Sequence, residues 1–218
     1  METKAKRNFA LEYDLSWRKY DFIVNLYQLG RDSLHRRKAL EFGGLKKGDI
    51  VMDICCGSGL SMAAIQSVIG PEGKIIAVDA NEHMLALAEA RARKMGWKNV
   101  EFVLSPIEDL EIKEKIDFAF FALCWYDKEL NTGWVRKIEQ FMDRDTGRIC
   151  FFDYKLPGNW LRPIIQPLLW LEIKWLGEAY TVEDLKWEPK DVIGGILRDP
   201  NYTAYFFDCL VAIAGKPL

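Results

Sequence analysis

Residues 50–65 read Ile50-Val51-Met52-Asp53-Ile54-Cys55-Cys56-Gly57-Ser58-Gly59-Leu60-Ser61-Met62-Ala63-Ala64-Ile65. An apolar run ends in Asp53, passes through a Gly-Ser-Gly turn and opens into a helical pattern. A glycine turn after a strand lets a ligand come close to the backbone where a side chain would stand in the way. The turn also aims the unpaired N–H groups of the helix start at that ligand. Twenty residues after Gly59 a second apolar run, Lys74 to Val78, ends in another acid, Asp79. Strand, glycine turn, helix, strand, acid is the grammar of a nucleoside-binding α/β unit, in which the second acid accepts hydrogen bonds from ribose hydroxyls.

Outward from this unit the alternation continues. Strands are predicted at Ile50–Ile54, Lys74–Val78, Val100–Leu104, Asp117–Phe121 and Arg148–Tyr154, and helices at Leu60–Ile69, Asn81–Met95 and Glu129–Met142. Asn81 suits an N-cap, Gly96 a helix stop, and Pro71-Glu72-Gly73 a turn. Such alternation predicts a parallel sheet covered by helices on both faces. A helical preface, roughly Asp14 to Phe42, precedes Gly43-Gly44. A tryptophan-rich stretch, Pro157 to Gly177, carries only Arg162, Glu172 and Lys174 as charges. Tyr202 to Ala214 reads either as one long strand or as a tight hairpin near Asp208. The expected organisation is a single domain over 1–218: preface 1–44, cofactor-binding core 45–156, helical insertion 157–200 and terminal strand region 201–218.

At 218 residues and 50% apolar composition the chain is long enough for one well-buried domain. Its net charge of −2 does not point to a general nucleic-acid binder. The charge is uneven: residues 1–47 hold 11 Lys and Arg against 6 Asp and Glu, whereas the remainder holds 19 against 26. A basic segment on an acidic body suits an anionic surface or substrate as well as it suits plain solvation. The odd count of five cysteines, without metal-ligand spacing, predicts reduced thiols and no metal. The N-terminus leads into no apolar signal-peptide core and no stretch is long enough to span a bilayer. A cytoplasmic location is therefore expected, with peripheral membrane contact open.

Three spans, Val51–Gly59, Ile75–Leu85 and Val100–Leu110, together resemble the class I S-adenosylmethionine-dependent methyltransferases. Within that family the nearest similarity is to quinone-ring C-methyltransferases and phospholipid N-methyltransferases. It is carried by Tyr13-Asp14, Tyr20-Asp21, Leu29-Gly30 and Arg36-Arg37-Lys38-Ala39-Leu40 in the preface, and by the closing Leu210–Pro217. The resemblance implies a Rossmann-like, seven-stranded, mostly parallel sheet whose last strand is antiparallel, and S-adenosylmethionine as cofactor. It implies that Asp53 organises the turn near the methionine amino group while Gly57 and Gly59 carry that end of the cofactor on their backbone. Cys55 stands at the family's first motif glycine. Asp79 is implied to bind both ribose hydroxyls, Ala80 and Met84 to lie against the adenine, Leu123 to line the sulfonium end and Tyr20 to cover it. Pro106 replaces the acid that often meets the adenine amino group, leaving Ser105 and the Ile107 N–H as candidates there.

Methyl transfer from a sulfonium asks the protein mainly to align the nucleophile and exclude water, and a carbon or hydroxyl nucleophile also needs a base. His35 in the preface, Tyr126 and Asp127 after the fourth strand, and Asp153 at the end of the fifth are candidates, each weighed against an ordinary structural role. Trp125 is a candidate wall, whereas His83 and Cys124 read as solvated and packing groups. The tryptophan-rich stretch reads as core cover, as an apolar lid, or as a membrane-interface element. The leading expectation is a methyltransferase for a small apolar or amphiphilic acceptor, a quinone ring or lipid head group. The alternatives are a non-catalytic S-adenosylmethionine-binding partner subunit and an NAD-linked oxidoreductase. Against the last, Met62 stands where the dinucleotide motif wants its third glycine. A nucleic-acid methyltransferase is disfavoured by the acidic body and by the absence of an Asn-Pro-Pro-Tyr run.

Overall fold

Strand residues that alternate between two apolar clusters build a sheet buried on both faces. Met52, Ile54, Ile76, Val78, Phe121 and Phe151 belong to one cluster, and Val51, Ile75, Ala77, Phe120 and Phe152 to the other. In the computed structural model, which describes residues 21–22, 24–26, 28–124, 128–176 and 195–218 (backbone alone for 169 and 172–176), seven strands form one sheet. They are β1 Ile50–Ile54, β2 Lys74–Asp79, β3 Val100–Leu104, β4 Phe118–Ala122, β5 Arg148–Tyr154, β6 Arg198–Tyr205 and β7 Leu210–Lys216. Their order is β3-β2-β1-β4-β5-β7-β6. The first five run parallel, and β7 is antiparallel to both its neighbours. This is the implied Rossmann-like, mostly parallel sheet.

One face is covered by α1 Asp32–Phe42, α2 Met62–Ile69 and α3 Glu82–Met95, which contribute Leu40, Ile65 and Ala88 to its cluster. The other is covered by α4 Lys128–Glu139, through Trp134, Val135 and Ile138, and by a short 3-10 turn at Ile107–Asp109. The tryptophan-rich stretch forms α5, Arg162–Leu176.

Several boundaries differ from the sequence expectation, each for a local reason. The fourth strand starts one residue late because the Asp117 carboxylate accepts the Ile50 N–H at 2.9 Å and locks the edge of β1. Helix α2 begins at Met62 rather than Leu60, since Gly59 at φ 80° turns the chain first. Helix α4 stops at Glu139 because Phe141 and Met142 bond back three residues, and Met142 bridges to Ile116. The preface is not one continuous helix: Leu29 and Gly30, at φ 53° and 74°, break it before α1. Of the two readings of the C-terminal stretch the hairpin holds, but its first strand begins at Arg198, inside the stretch expected to be helical insertion. Its turn is built on Phe206, Phe207 and Asp208 at φ 47°, 59° and 68°. Pro200 and a register shift between Arg198 and Asn201 sit on the edge strand, where a missing ladder donor is tolerated.

Candidate active site

The carboxyl ends of β1, β2, β4 and β5 share one rim, where open α/β sheets bind ligands. Asp53 lies one residue before the end of β1 and is wholly buried, and neither carboxylate oxygen has a hydrogen-bond partner among the described residues. Burial pushes its carboxyl up to about 7; Arg36 opposes this, Asp79 adds to it and Ser61 opposes it. A buried carboxylate left in this condition is costly as an anion and is relieved by a cation brought to it. An ammonium group at the β1 turn meets that demand.

The turn itself is held from β2. Asp79 accepts the Gly57 N–H at 2.8 Å through one carboxylate oxygen and the Asn81 N–H at 2.9 Å through the other. Burial raises its pKa, while the N–H groups of Asn81, Gly57 and Ala80 hold it back. Each oxygen keeps an acceptor site for a further donor such as a ribose hydroxyl. Asn81 is spent as the N-cap of α3, accepting from His83 and Met84. The two motif glycines do different work. A Cβ on Gly57, at φ 56°, would meet nothing within 4 Å, so its surface is open to a ligand. A Cβ on Gly59 would strike Met62 Cε and meet Ala88 Cβ at 3.2 Å, so this glycine lets α2 approach α3.

The remaining expected residues divide. Cys55 is half-buried at φ 52°, a conformation natural to the glycine it replaces. Leu123, at φ 57°, follows β4 with its N–H on the Phe152 carbonyl. Ala80 is exposed beside the rim and Met84 is buried. Ser105 donates its hydroxyl to the Pro106 carbonyl and its N–H to that of Asp79, while Ile107 is buried in the core cluster. Asp153 is buried at the end of β5 and accepts the Tyr154 N–H at 2.7 Å. His83 is exposed and Cys124 is buried; the Cys55 thiol beside it and its burial push the Cys124 thiol well up. Tyr20, Trp125, Tyr126 and Asp127 lie outside the described residues.

The preface supplies contacts to which the sequence reading gave no role. Asp21 accepts from Ser58 at 2.5 Å and from Arg91 at 2.5 Å, tying the preface to the glycine turn. Asp32 receives Arg36 Nε at 2.8 Å, and Arg36 Nη1 donates to Ser61 Oγ at 2.8 Å. Gln28 donates to Asp32 at 2.8 Å and to the Tyr154 hydroxyl at 3.1 Å. Because Asp32, ion-paired with Arg36, only accepts, the Gln28 amide nitrogen faces it, and the amide oxygen is left for His35 Nδ1 at 2.9 Å. The His35 proton therefore resides on Nδ1 and its Nε2 carries the lone pair. Burial, Lys38 and Arg31 lower the His35 pKa against the pull of Asp32, so the ring is neutral at pH 7. The one legible signal for this network was the Asp32–Arg36 spacing of four on a helix.

Strand order, the β1 glycine turn, the acid ending β2 and the antiparallel β7 define the fold of the class I S-adenosylmethionine-dependent methyltransferases. A methyltransferase of that kind from Aquifex aeolicus superposes with a TM-score of 0.68 over 91% of this chain and 98% of its own, at 20% identity, which shows the fold. The ubiE/COQ5 methyltransferase family matches residues 5–124, and the chain belongs to it. Among its relatives are the 2-phytyl-1,4-beta-naphthoquinone methyltransferase of Arabidopsis thaliana and the ubiquinone/menaquinone biosynthesis C-methyltransferase of Pseudomonas fluorescens. The first is 36% identical over 94 residues and the second 36% over 93, each match taking 42% of this chain and 36% of the relative. The chain thus spans little more than a third of the length of these curated relatives.

Proposed function

We propose that the chain binds S-adenosylmethionine and methylates a ring carbon of a quinol-type acceptor. The observation that carries the cofactor assignment is the buried, unpartnered Asp53 carboxylate beside the open Gly57 turn. In this reading Asp53 receives the methionine ammonium, the Gly57 backbone lies under the methionine end, and Asp79 takes the ribose hydroxyls. Ala80 and Met84 border the adenine, with Ser105 and the Ile107 N–H as its polar neighbours, and Cys55 and Leu123 flank the sulfonium. Bound there, the cofactor offers a methyl group on a positively charged sulfur to a nucleophile in line with it. The quinone acceptor is supported by family membership and by the printed names of the relatives.

A quinol ring carbon becomes nucleophilic when its neighbouring hydroxyl loses a proton, and we assign that proton to His35 Nε2. Support comes from the neutral ring, the tautomer set by Gln28, and the bond from Gln28 to Tyr154 at the end of β5. Asp153 is the second acceptor-side candidate. Natural quinones carry apolar tails, so the reading includes an amphiphilic substrate met at the periphery of a membrane by a cytoplasmic enzyme, and no nucleic-acid substrate.

Calorimetry with S-adenosylhomocysteine and transfer of tritiated methyl to a demethylated quinol test this reading. Micromolar binding with label in the organic phase supports it. Absence of binding sinks the cofactor assignment; binding with label only in another acceptor class sinks the quinol.

A further inference from the structure

The surface beside the acceptor rim has a composition that the methyl-transfer reading does not use. Trp160 is 79% exposed, and Ile164, Leu168 and Leu171 are 57%, 54% and 54% exposed at spacings of four and three along α5. These spacings align the three on one side of a helix. Phe207, 60% exposed at the tip of the β6–β7 hairpin, extends the patch: Asn159 Nδ2 donates to the Phe207 carbonyl at 3.3 Å. The same tip reaches the active site. Phe207 packs on Phe206 with ring centroids 5.3 Å apart, and Phe206 on His35 at 5.1 Å.

Exposed cations border this patch on the preface side and at the start of α5. Arg31 and Lys38 of the preface, whose charges reach His35, and Arg162 at the start of α5 are all exposed. Residues 158–171 contain no acid. Among the described side chains nearby, Asp208 is paired with Lys155 at 2.9 Å and Glu41 with Arg37 at 2.8 Å; Glu172 follows Leu171 along α5. Aromatic and branched apolar side chains flanked by the exposed cations Arg31, Lys38 and Arg162 complement an anionic lipid headgroup layer. A second copy of this chain fits less well, because a two-fold contact through the patch opposes Arg162 to Arg162. No helix among the described residues is long and apolar enough to cross a membrane, so the contact is one of lying on the surface.

We propose that the exposed side of α5 and the β6–β7 hairpin tip dock the protein on an anionic bilayer, bringing the acceptor rim to the lipid phase. The docking rests on the quinol reading for its purpose. The test is co-sedimentation of the full chain with vesicles of phosphatidylcholine alone or mixed with phosphatidylglycerol, at low and at physiological salt. Binding is expected to the mixed vesicles and to weaken with salt. Ile164→Glu with Leu168→Glu should lower the partition coefficient about tenfold or more. Arg31→Gln with Lys38→Gln should lower it about fivefold per cation and flatten the salt dependence. Circular dichroism verifies that both double variants are folded, and the Ile164 and Leu168 double variant should methylate a quinol with a trimmed, water-soluble tail at the parent rate. No binding to mixed vesicles, or binding unchanged in both variants, overturns the proposal. So does a patch variant that merely turns a dimer into a monomer in light scattering. Vesicle binding that follows these expectations without methylation of the soluble quinol leaves the docking surface standing and removes the quinol reading.

Discussion

Asp53 costs the unliganded protein stability in exchange for a cation site. Its carboxyl sits at about 7 in the folded protein, against roughly 4 in an unfolded chain. Between those values the folded state holds the proton more tightly, so this contribution to stability is full below about pH 4 and is lost as pH rises through 7. From pH 6 to pH 8 the unliganded protein should lose about 1.4 kcal/mol from this group alone, read by urea unfolding. Cofactor binding should run the other way. A cationic ligand favours the carboxylate, so Kd should tighten about tenfold over the same interval, with a proton released at the lower pH, read by calorimetry in buffers of different ionisation enthalpy. Asp53→Asn should abolish both slopes, stabilise the empty protein at pH 8 and weaken cofactor binding. A pH-independent Kd in the parent protein would sink this account. The identity of Asp53 as a site residue was legible from its place before the glycine turn. Its isolation was not, because that depends on Arg36 and Ser61, which arrive from other elements and are engaged with Asp32 and with each other.

At the scale of elements, the Gly-Ser-Gly turn joins two functions that mutation should separate. Gly57→Ala meets open space but keeps a left-handed φ of 56°, so it should cost only about 1–2 kcal/mol of stability. Its methyl group enters the volume assigned to the methionine end, so affinity for S-adenosylhomocysteine should fall at least about tenfold. Gly59→Ala combines a φ of 80° with contacts at 3.2 and 3.3 Å to Ala88, and should cost about 2–4 kcal/mol. Denaturant unfolding and calorimetry on both variants test the division; equal stability losses would refute it. The strands were legible because apolar runs in a sheet buried on both faces need no tertiary information to stand out. The preface break at Leu29-Gly30 and the hairpin turn at Phe206-Phe207-Asp208 were not. Five left-handed residues occur there and only one is a glycine. Tertiary contacts rather than residue preference impose that backbone: His35 against Phe206, and Asp208 held by Lys155 and the Gly158 N–H.

For the molecule as a whole, the buried ion pair of α1 ties the preface to the charge of the site. Arg36 bonds Asp32 on its own helix, Ser61 at the start of α2, and lies 5.8 Å over the Phe152 ring of β5. Gln28 carries the connection on to Tyr154. A pair this enclosed is poorly justified by stability alone, since two charges are removed from water to make it. It fixes the position of α1 over the rim and sets a positive charge where it lowers the Asp53 pKa. Arg36→Met should therefore destabilise by about 3–5 kcal/mol, because Asp32 is left buried without its cation. Arg36→Met combined with Asp32→Leu should recover much of that loss, so the double-mutant cycle should show strong coupling. Neither change should split the unfolding curve, since the preface shares its apolar cluster with α2 and the sheet. In the double variant the stability slope of Asp53 should move to higher pH, Arg36 no longer opposing its protonation. Unfolding by urea between pH 5 and pH 9, on the parent, both single variants and the double, measures coupling and slope together. Additive losses with an unmoved slope would mean that the preface rests on the site without controlling its charge.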